Sequence, residues 1–581
     1  MRGRLTPAWS LAWALTLAPL SSGAQQIFGP SEERPGVEAP SREAEPPPAL
    51  DLPAVPAPSE GEPLFRGLEV YVQRFAFEGN TAFSDEDLER VTAGFTGRAI
   101  SSEDLTRAAQ AITDHYVSHG YATSGAVVPD QVVEEGTVRL LIVEGHVSGI
   151  EVSGQRWFRA AYFRDRLRRA AQAPVNVERL EGALRRLQRH PQVERLHARL
   201  ESGAGLGEAV LHLAVEERRP YDLALEGAND RSPALGALGL RTAPSFANLL
   251  GHGDELAGSL DLSEGLLEWE GRYQLPLNSY DTTLRLFARE SDAEVVEEDF
   301  EELGIHSESE TYGLSLSHPF WRDEQDQLWV RAVGEWRRLE SCLDILPPTS
   351  RCTPFSFQPG QPDPEQVASV LRGVQDWSRA LSDDVFAARL TWSVGVDLLG
   401  ATTSGEPDGQ FFAWLGQVQW VHRFPEWLLA SELLVRGDLQ LASDPLLTLE
   451  KFSLGGLNTV RGYRENELVR DNGVLGSVEV RVPVLRTGLG RPIVQIVPFA
   501  DLGHGWDEDG EREDRTLASL GAGLRLSPWP WLRGELFWGG RLRSVPDRGE
   551  EYDLQDDGLH FRVVLAPVDA LANVSPGSFP W

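Results

Sequence analysis

Phe386-Ala-Ala-Arg-Leu-Thr-Trp-Ser-Val-Gly-Val-Asp397 decides how the chain is to be read. Successive side chains of an extended strand point to opposite faces. Ala388, Leu390, Trp392, Val394 and Val396 therefore share one face, and Arg389, Thr391, Ser393 and Asp397 the other. The alternation recurs on both sides of this stretch. In Leu328–Arg337, Leu328, Val330, Ala332 and Trp336 oppose Arg331, Glu335 and Arg337. In Ser477–Val484, Val478, Val480, Val482 and Val484 oppose Ser477, Glu479 and Arg481. Each run is about ten residues, the length a tilted strand needs to cross a bilayer. Many such runs from Tyr221 onward predict a transmembrane β-barrel, apolar outside and polar inside. A soluble sandwich also alternates, but it buries its apolar face; the chain length and an export signal favour the membrane.

Composition bounds the reading further. A formal net charge of −34 over 581 residues argues against nucleic-acid binding, which uses a basic surface. The mean hydropathy is −0.28. No long apolar run follows the N-terminus, so transmembrane helices are not expected, whereas barrel strands average out in hydropathy. Seventeen Trp fit interfacial girdles. Residues 1–24 read as a secretory signal: Arg2 and Arg4, an apolar stretch from Ala8 to Leu20, and small residues Ser22-Gly-Ala24 before a cut at Gln25. The only cysteines, Cys342 and Cys352, lie close together in a Pro-rich segment. In an exported chain they read as a local disulfide, the alternative being two free thiols. Two cysteines alone make no zinc site.

Residues 25–67 are dense in Pro, Glu and Ala and are expected to be an extended, disordered linker. From 68 to 145 the order reads β-α-α-β-β. Val70–Phe77 alternates as a strand; Ser84 opens a helix running through Phe95, and Ser101 a second one to about His119. Ala122–Val128 and Thr137–Val143 read as strands. With Gly79-Asn-Thr-Ala-Phe83 after the first strand and His119-Gly-Tyr121 ending the second helix, the segment resembles a polypeptide-transport-associated (POTRA) domain. Residues 146–218 repeat the order and look like a second one, an internal repeat of roughly seventy-five residues. The resemblance implies no chemistry; it implies strand edges to which an extended polypeptide can add. His115 and His119 share a helix face, but with no third ligand beside them a surface or groove role is favoured over a metal pair.

Barrel strands, with Gln366–Trp377 counted among them, number about sixteen, the even parity of bacterial single-chain barrels. The barrel spans 219–567, and 568–581 is a C-terminal tail. Short turns fall at Asn248–Gly253, Pro276–Tyr280, Trp321–Gln325, His422–Glu426 and Ser527–Trp529. Long loops fall on the other side, the longest being Ala442–Asn472. It contains Phe452-Ser-Leu-Gly-Gly-Leu-Asn-Thr-Val-Arg-Gly-Tyr463, which reads as loop rather than strand because glycines break the alternation. Its cation, Arg461, needs a partner. Asp501 shares a strand face with Phe499 and Gly503, while Val494, Ile496, Ala500 and Leu502 suit lipid. An inward fold of the loop would pair the Arg461 guanidinium with the Asp501 carboxylate, bidentately.

Together these stretches resemble the two-partner secretion transporters of the haemolysin secretion/activation type, over roughly 68–567. Phe452-Ser-Leu-Gly455-Gly456 and Val460-Arg461-Gly462-Tyr463 match that family's inward loop motif; Phe499-Ala-Asp501-Leu-Gly503 matches its barrel-wall motif; Asn248-Leu-Leu-Gly-His-Gly-Asp254 resembles its early-barrel turn. The family often has an N-terminal plug helix; residues 25–67 are too rich in Pro to show one. Its last strand usually ends the chain, whereas here a tail follows Leu559–Leu565.

The resemblance implies a pore in the outer membrane of a diderm bacterium, with POTRA domains in the periplasm binding an unfolded, β-rich secreted partner. Outer-membrane lipid, periplasmic chaperones and the barrel-assembly machinery are the other partners implied. A barrel-assembly factor of the same superfamily is the alternative; its members often carry more POTRA domains. An enzyme or adhesin on a barrel anchor is the reading from another class. No Gly-x-Ser-x-Gly elbow, no His-Glu-x-x-His and no spare domain support it, so no catalytic residue, metal ligand or cofactor is expected.

Overall fold

The computed structural model describes residues 49–51 and 69–568, except 302, 324, 345–351, 359, 489, 509, 511–512 and 546–551. The signal segment 1–24, most of the linker and residues 569–581 of the tail lie outside the described residues. The chain forms two compact units.

The first unit holds two α+β modules. β1 (Ala49–Asp51) is treated with the second. The first comprises β2 (Val70–Val72), β3 (Arg74–Glu78), α1 (Asp85–Thr92), β4 (Arg98–Ile100), α2 (Ser102–Ser118), β5 (Gly125–Val127) and β6 (Thr137–Val143). The single strand expected over 70–77 is broken: β2 pairs with β4, and β3 with β6. The break sits at Gln73 because the Gly136 carbonyl accepts from both Gln73 N and Arg74 N, which turns the chain between two sheets. The strand expected over 122–128 is only three residues long, and the first helix ends in a 3-10 turn over Ala93–Phe95. Ser84 and Ser101 cap α1 and α2 in reciprocal capping boxes. Val72, Leu88, Ile112, Tyr116 and Leu140 form the core.

The second module comprises β7 (His146–Ser153), α3 (Ala160–Ala170), α4 (Val177–Gln188), β8 (Val193–Ser202) and β9 (Glu208–Glu217). Asn176 caps α4 through the Arg179 amide. Phe163, Leu167, Leu180, Leu184 and Leu211 are buried between helices and sheet. The sheet order is β1-β8-β9-β7. β1 corrects the expectation of an entirely disordered linker: three of its residues pair in parallel with His197–Arg199. Apart from β1, β8 is an edge strand of this sheet.

The second unit is the barrel. Its elements are β10 (Tyr221–Ala228), β11 (Gly239–Ala247), β12 (Glu255–Leu262), β13 (Leu266–Pro276), β14 (Thr283–Glu294), β15 (Ile305–Arg322), β16 (Asp326–Leu343), β17 (Thr353–Pro354), β18 (Glu365–Ala380), β19 (Asp384–Val396), β20 (Phe412–Arg423), β21 (Glu432–Ala442), β22 (Phe452–Leu454), β23 (Leu468–Arg470), β24 (Asn472–Arg486), β25 (Pro492–Trp506), β26 (Arg515–Trp529), β27 (Leu532–Arg541) and β28 (Leu559–Leu565). Sixteen of these close the barrel, β28 pairing with β10. β17 only extends the end of β16, beside the Cys342–Cys352 disulfide. β22 and β23 form a small hairpin inside the loop between β21 and β24. That hairpin corrects the reading of 452–463 as loop throughout: Phe452-Ser-Leu454 precedes the glycines and is still free to alternate. β15 and β16 reach eighteen residues, well past the roughly ten that a bilayer requires.

The barrel is apolar outward. Ile496 and Leu502 on β25 are 43% and 55% exposed, whereas Phe499 and Asp501 between them are buried. Trp392 and Val394 are exposed beside buried Thr391 and Ser393 on β19. Buried polar side chains such as Gln417, Asp438, Gln440 and Glu479 line the inner face.

Candidate functional site

β21 and β24 are hydrogen-bonded neighbours, yet residues 443–471 lie between them. That excursion folds inward, and two glycines make its tip possible. Gly455 and Gly456 have φ of +111° and +98°, a region that side chains resist. A Cβ on Gly456 would lie 1.6 Å from Glu465 Oε2, the oxygen that accepts from Leu457 N at 3.0 Å. Thr459 Oγ1 ties the turn by accepting from Gly455 N and donating to its carbonyl. Val460 is then pressed against the wall at Gly503, where a Cβ would come within 2.9 Å of Val460 Cγ2.

Arg461 and Asp501 are each 3% exposed. Arg461 Nε donates to Asp501 Oδ2 at 2.8 Å and Nη2 to Oδ1 at 2.9 Å. The Arg461 backbone N–H adds a third bond to the same carboxylate at 3.1 Å. Nη1 donates to Glu479 Oε2 at 2.8 Å. Ser477, opposite Asp501 in the β24–β25 register, donates to Asp501 Oδ1 at 2.7 Å. The guanidinium carbon stands 3.7 Å from the Phe499 ring centre and 5.0 Å from that of Phe537, near enough for cation–π attraction. The planar fork, the two acids and the aromatic faces use every side of the arginine, as a lysine could not.

The next residues seat the loop on the far strands. Gly462 has φ +95°, and a Cβ there would sit 2.5 Å from the Gly539 carbonyl on β27. Its N–H donates to His560 Nε2 on β28, and its carbonyl accepts from Arg541 Nε at 2.6 Å. The Tyr463 hydroxyl stands 2.9 Å from the carbonyls of both Ala518 and Arg543, which share its one proton, and its oxygen accepts from the N–H groups of the same two residues.

A second ionic cluster holds the other limb. Glu450 Oε1 accepts from Arg337 Nη1 at 3.0 Å and Arg372 Nη2 at 2.7 Å, on β16 and β18. Arg337 Nη1 also donates to the Leu449 carbonyl, and Glu335 pairs with both arginines. The loop therefore reaches from the β16–β18 wall to the β24–β28 wall through the lumen. Sequence reasoning missed Glu450, Arg337 and Arg372 as partners. It placed Ser477 and Glu479 on the polar face without linking them to Arg461. The signal available was their face alone.

In the first module, Glu144 organises the motif around Phe83. Its Oε1 accepts from Thr81 N, Ala82 N and the Tyr116 hydroxyl at 2.6, 2.7 and 2.9 Å. Burial alone would raise this carboxyl, but the bonds from Thr81, Ala82 and Tyr116 hold it below its ordinary value. Burial and then the Glu144 contact push the Tyr116 phenol up. The Phe83 ring touches His115, Tyr116, His119 and Tyr121. His115 and His119 thus pack at tilted and edge-on angles in an aromatic cluster, and no group of three or more metal-capable side chains occurs among the described residues.

Comparison with known proteins adds two matches. The ShlB-type POTRA domain matches residues 70–145. The haemolysin secretion/activation protein ShlB/FhaC/HecB matches residues 365–526, the span holding both Arg461 and Asp501. In both stretches the chain matches the two-partner secretion transporters. The outer membrane transporter CdiB of Dickeya dadantii is 23% identical over 498 residues, 81% of this chain and 82% of that protein. The hemolysin transporter ShlB of Serratia marcescens is 25% identical over 512 residues, 82% of each. The solved structure of CdiB from Escherichia coli shares the fold, with TM-score 0.62 at 19% identity, covering 97% of this chain and all of that one. Like those transporters, this barrel sits in the outer membrane, with its POTRA region in the periplasm.

Proposed function

We propose that this two-partner secretion transporter conducts an unfolded, β-rich partner protein outward through its barrel, and that the Arg461–Asp501 pair positions the inward loop in the pore. The observation that carries this reading is the pair itself, fully buried and bidentate on a loop spanning the lumen. A pore for a polypeptide needs a polar lining, and this inner face carries one. It also needs an obstructing loop with defined positions. A buried ionic cluster serves that purpose because its geometry is discrete, and a partly broken arrangement strands a charge. The loop motif residues Gly455, Gly456, Val460, Gly462 and Tyr463 shape the segment to the wall at Phe499 and Gly503. The POTRA modules hold the partner extended by strand addition, which suits a substrate that folds into β-structure outside. No nucleotide site is required, because binding and outward folding bias the movement. Periplasmic chaperones and the barrel-assembly machinery deliver the transporter itself.

The test is co-expression with a large exported β-helix-like protein encoded beside this one, assayed in the medium. Secretion that requires the transporter is expected. Unchanged secretion without it, together with depleted outer-membrane proteins, would favour the assembly-factor reading instead.

A further inference from the structure

We infer that Ala49–Asp51 is a removable cap on the β8 edge, standing where an extended segment of the secreted partner pairs during loading. This rests on the reading that the POTRA modules bind their substrate by strand addition.

β8 is hydrogen-bonded along its length to β9 on one side. Its other side is filled in sections. Gln188 Nε2 donates to the Glu194 carbonyl at 3.0 Å, and its Oε1 accepts from Leu196 N at 2.8 Å. A side-chain amide thus takes the place of a strand there. β1 follows, in parallel, with Ala49, Leu50 and Asp51 opposite His197, Ala198 and Arg199. Leu200–Ser202 have no strand partner on that side among the described residues.

β1 cannot lengthen. It is preceded by Pro46-Pro-Pro48 and followed by Leu52-Pro53. Carried on, the register would put Pro53 opposite Glu201, and proline has no N–H to give a ladder. Upstream, Gln188 already occupies Leu196 N. The edge is therefore covered by a strand too short to bind firmly and shielded from longer pairing by its own prolines. The opposite edge of the sheet is less suited to a partner. β7 carries a register shift between Val147 and Gly149, and Arg164 Nε donates to its Ile150 carbonyl; such irregularities protect an edge.

A proline-free segment could pair from His197 through Ser202, twice the length β1 covers. Residues opposite Ala198 and Leu200 would lie on the sheet face that these two share, and both are buried. Those opposite His197, Arg199 and Glu201 would lie on the other face, where these three are exposed. The partner chemistry is therefore an extended segment, apolar at alternate residues and free of proline.

The experiment uses the full chain in lipid nanodiscs, with Ala49→Cys and His197→Cys to lock the cap by a disulfide and a photoreactive benzoylphenylalanine in place of Glu201. The probe is a synthetic peptide of alternating valine and threonine. Photolabelling of the peptide should fall about tenfold or more when the pair is oxidised, return on reduction, and be greater with Leu50→Pro than without it in a chain carrying the photoreactive residue but not the added cysteines. That same cysteine-pair-free photoreactive chain, with and without reductant, controls for Cys342–Cys352. Equal labelling in oxidised and reduced forms would overturn the displaceable cap while leaving strand addition standing. No labelling in any form, Leu50→Pro included, would overturn strand addition at this edge and the cap with it.

Discussion

The inward loop is fastened at two places by clusters of opposite sense. At Arg461 the loop contributes the cation and the wall the anions, Asp501 and Glu479. At Glu450 the loop contributes the anion and the wall the cations, Arg337 and Arg372. They differ in what remains when the loop residue is lost. Without Glu450, both arginines still pair with Glu335. Without the Arg461 side chain, Glu479 keeps Arg436 and Arg481, but Asp501 keeps only two neutral donors among its hydrogen bonds here, the Ser477 hydroxyl and the backbone N–H of residue 461. The Arg461 end is thus the one whose loss leaves a buried charge with no counter-ion, and the Glu450 end is buffered.

That asymmetry orders the expected effects. Arg461→Ala should be the most damaging, costing about 3–5 kcal/mol by stranding Asp501; secretion should drop sharply while heat-modified gel mobility still reports a folded, inserted barrel. Glu450→Gln should cost less, about 1–3 kcal/mol, since a neutral amide still accepts from both arginines but loses the charge. Equal losses in the two variants would erase the asymmetry. Gly462→Ala should fall near 1–2 kcal/mol for its positive φ, with displacement from Gly539 read as increased protease access to the loop. Tyr463→Phe should be mildest, about 1 kcal/mol for a hydroxyl that bridges two carbonyls, visible as a small fall in unfolding temperature.

Much of this architecture was legible in the sequence for a local reason. A strand announces its faces within a few residues, so the lumenal position of Asp501 and the lipid position of Leu502 follow from period two. The Arg461–Asp501 pairing was legible because both lie in short recognisable stretches. Glu450 was not, because its partners Arg337 and Arg372 come from strands far away in sequence, and only barrel closure brings them together. Nor was the break at Gln73, which depends on a carbonyl from Gly136. β1 escaped for a different reason: composition correctly described a Pro-rich segment but could not show that three of its residues, Ala49–Asp51, pair with the edge of β8.

The most direct test of the lock is a double-mutant cycle on secretion, using Arg461→Ala, Asp501→Ala and the pair, with a co-expressed partner assayed in the medium. Each single variant should insert normally and secrete less, Arg461→Ala the lesser of the two, and the double variant should secrete no less than Arg461→Ala alone because the interaction is already gone. Wild-type secretion by both single variants would contradict the account.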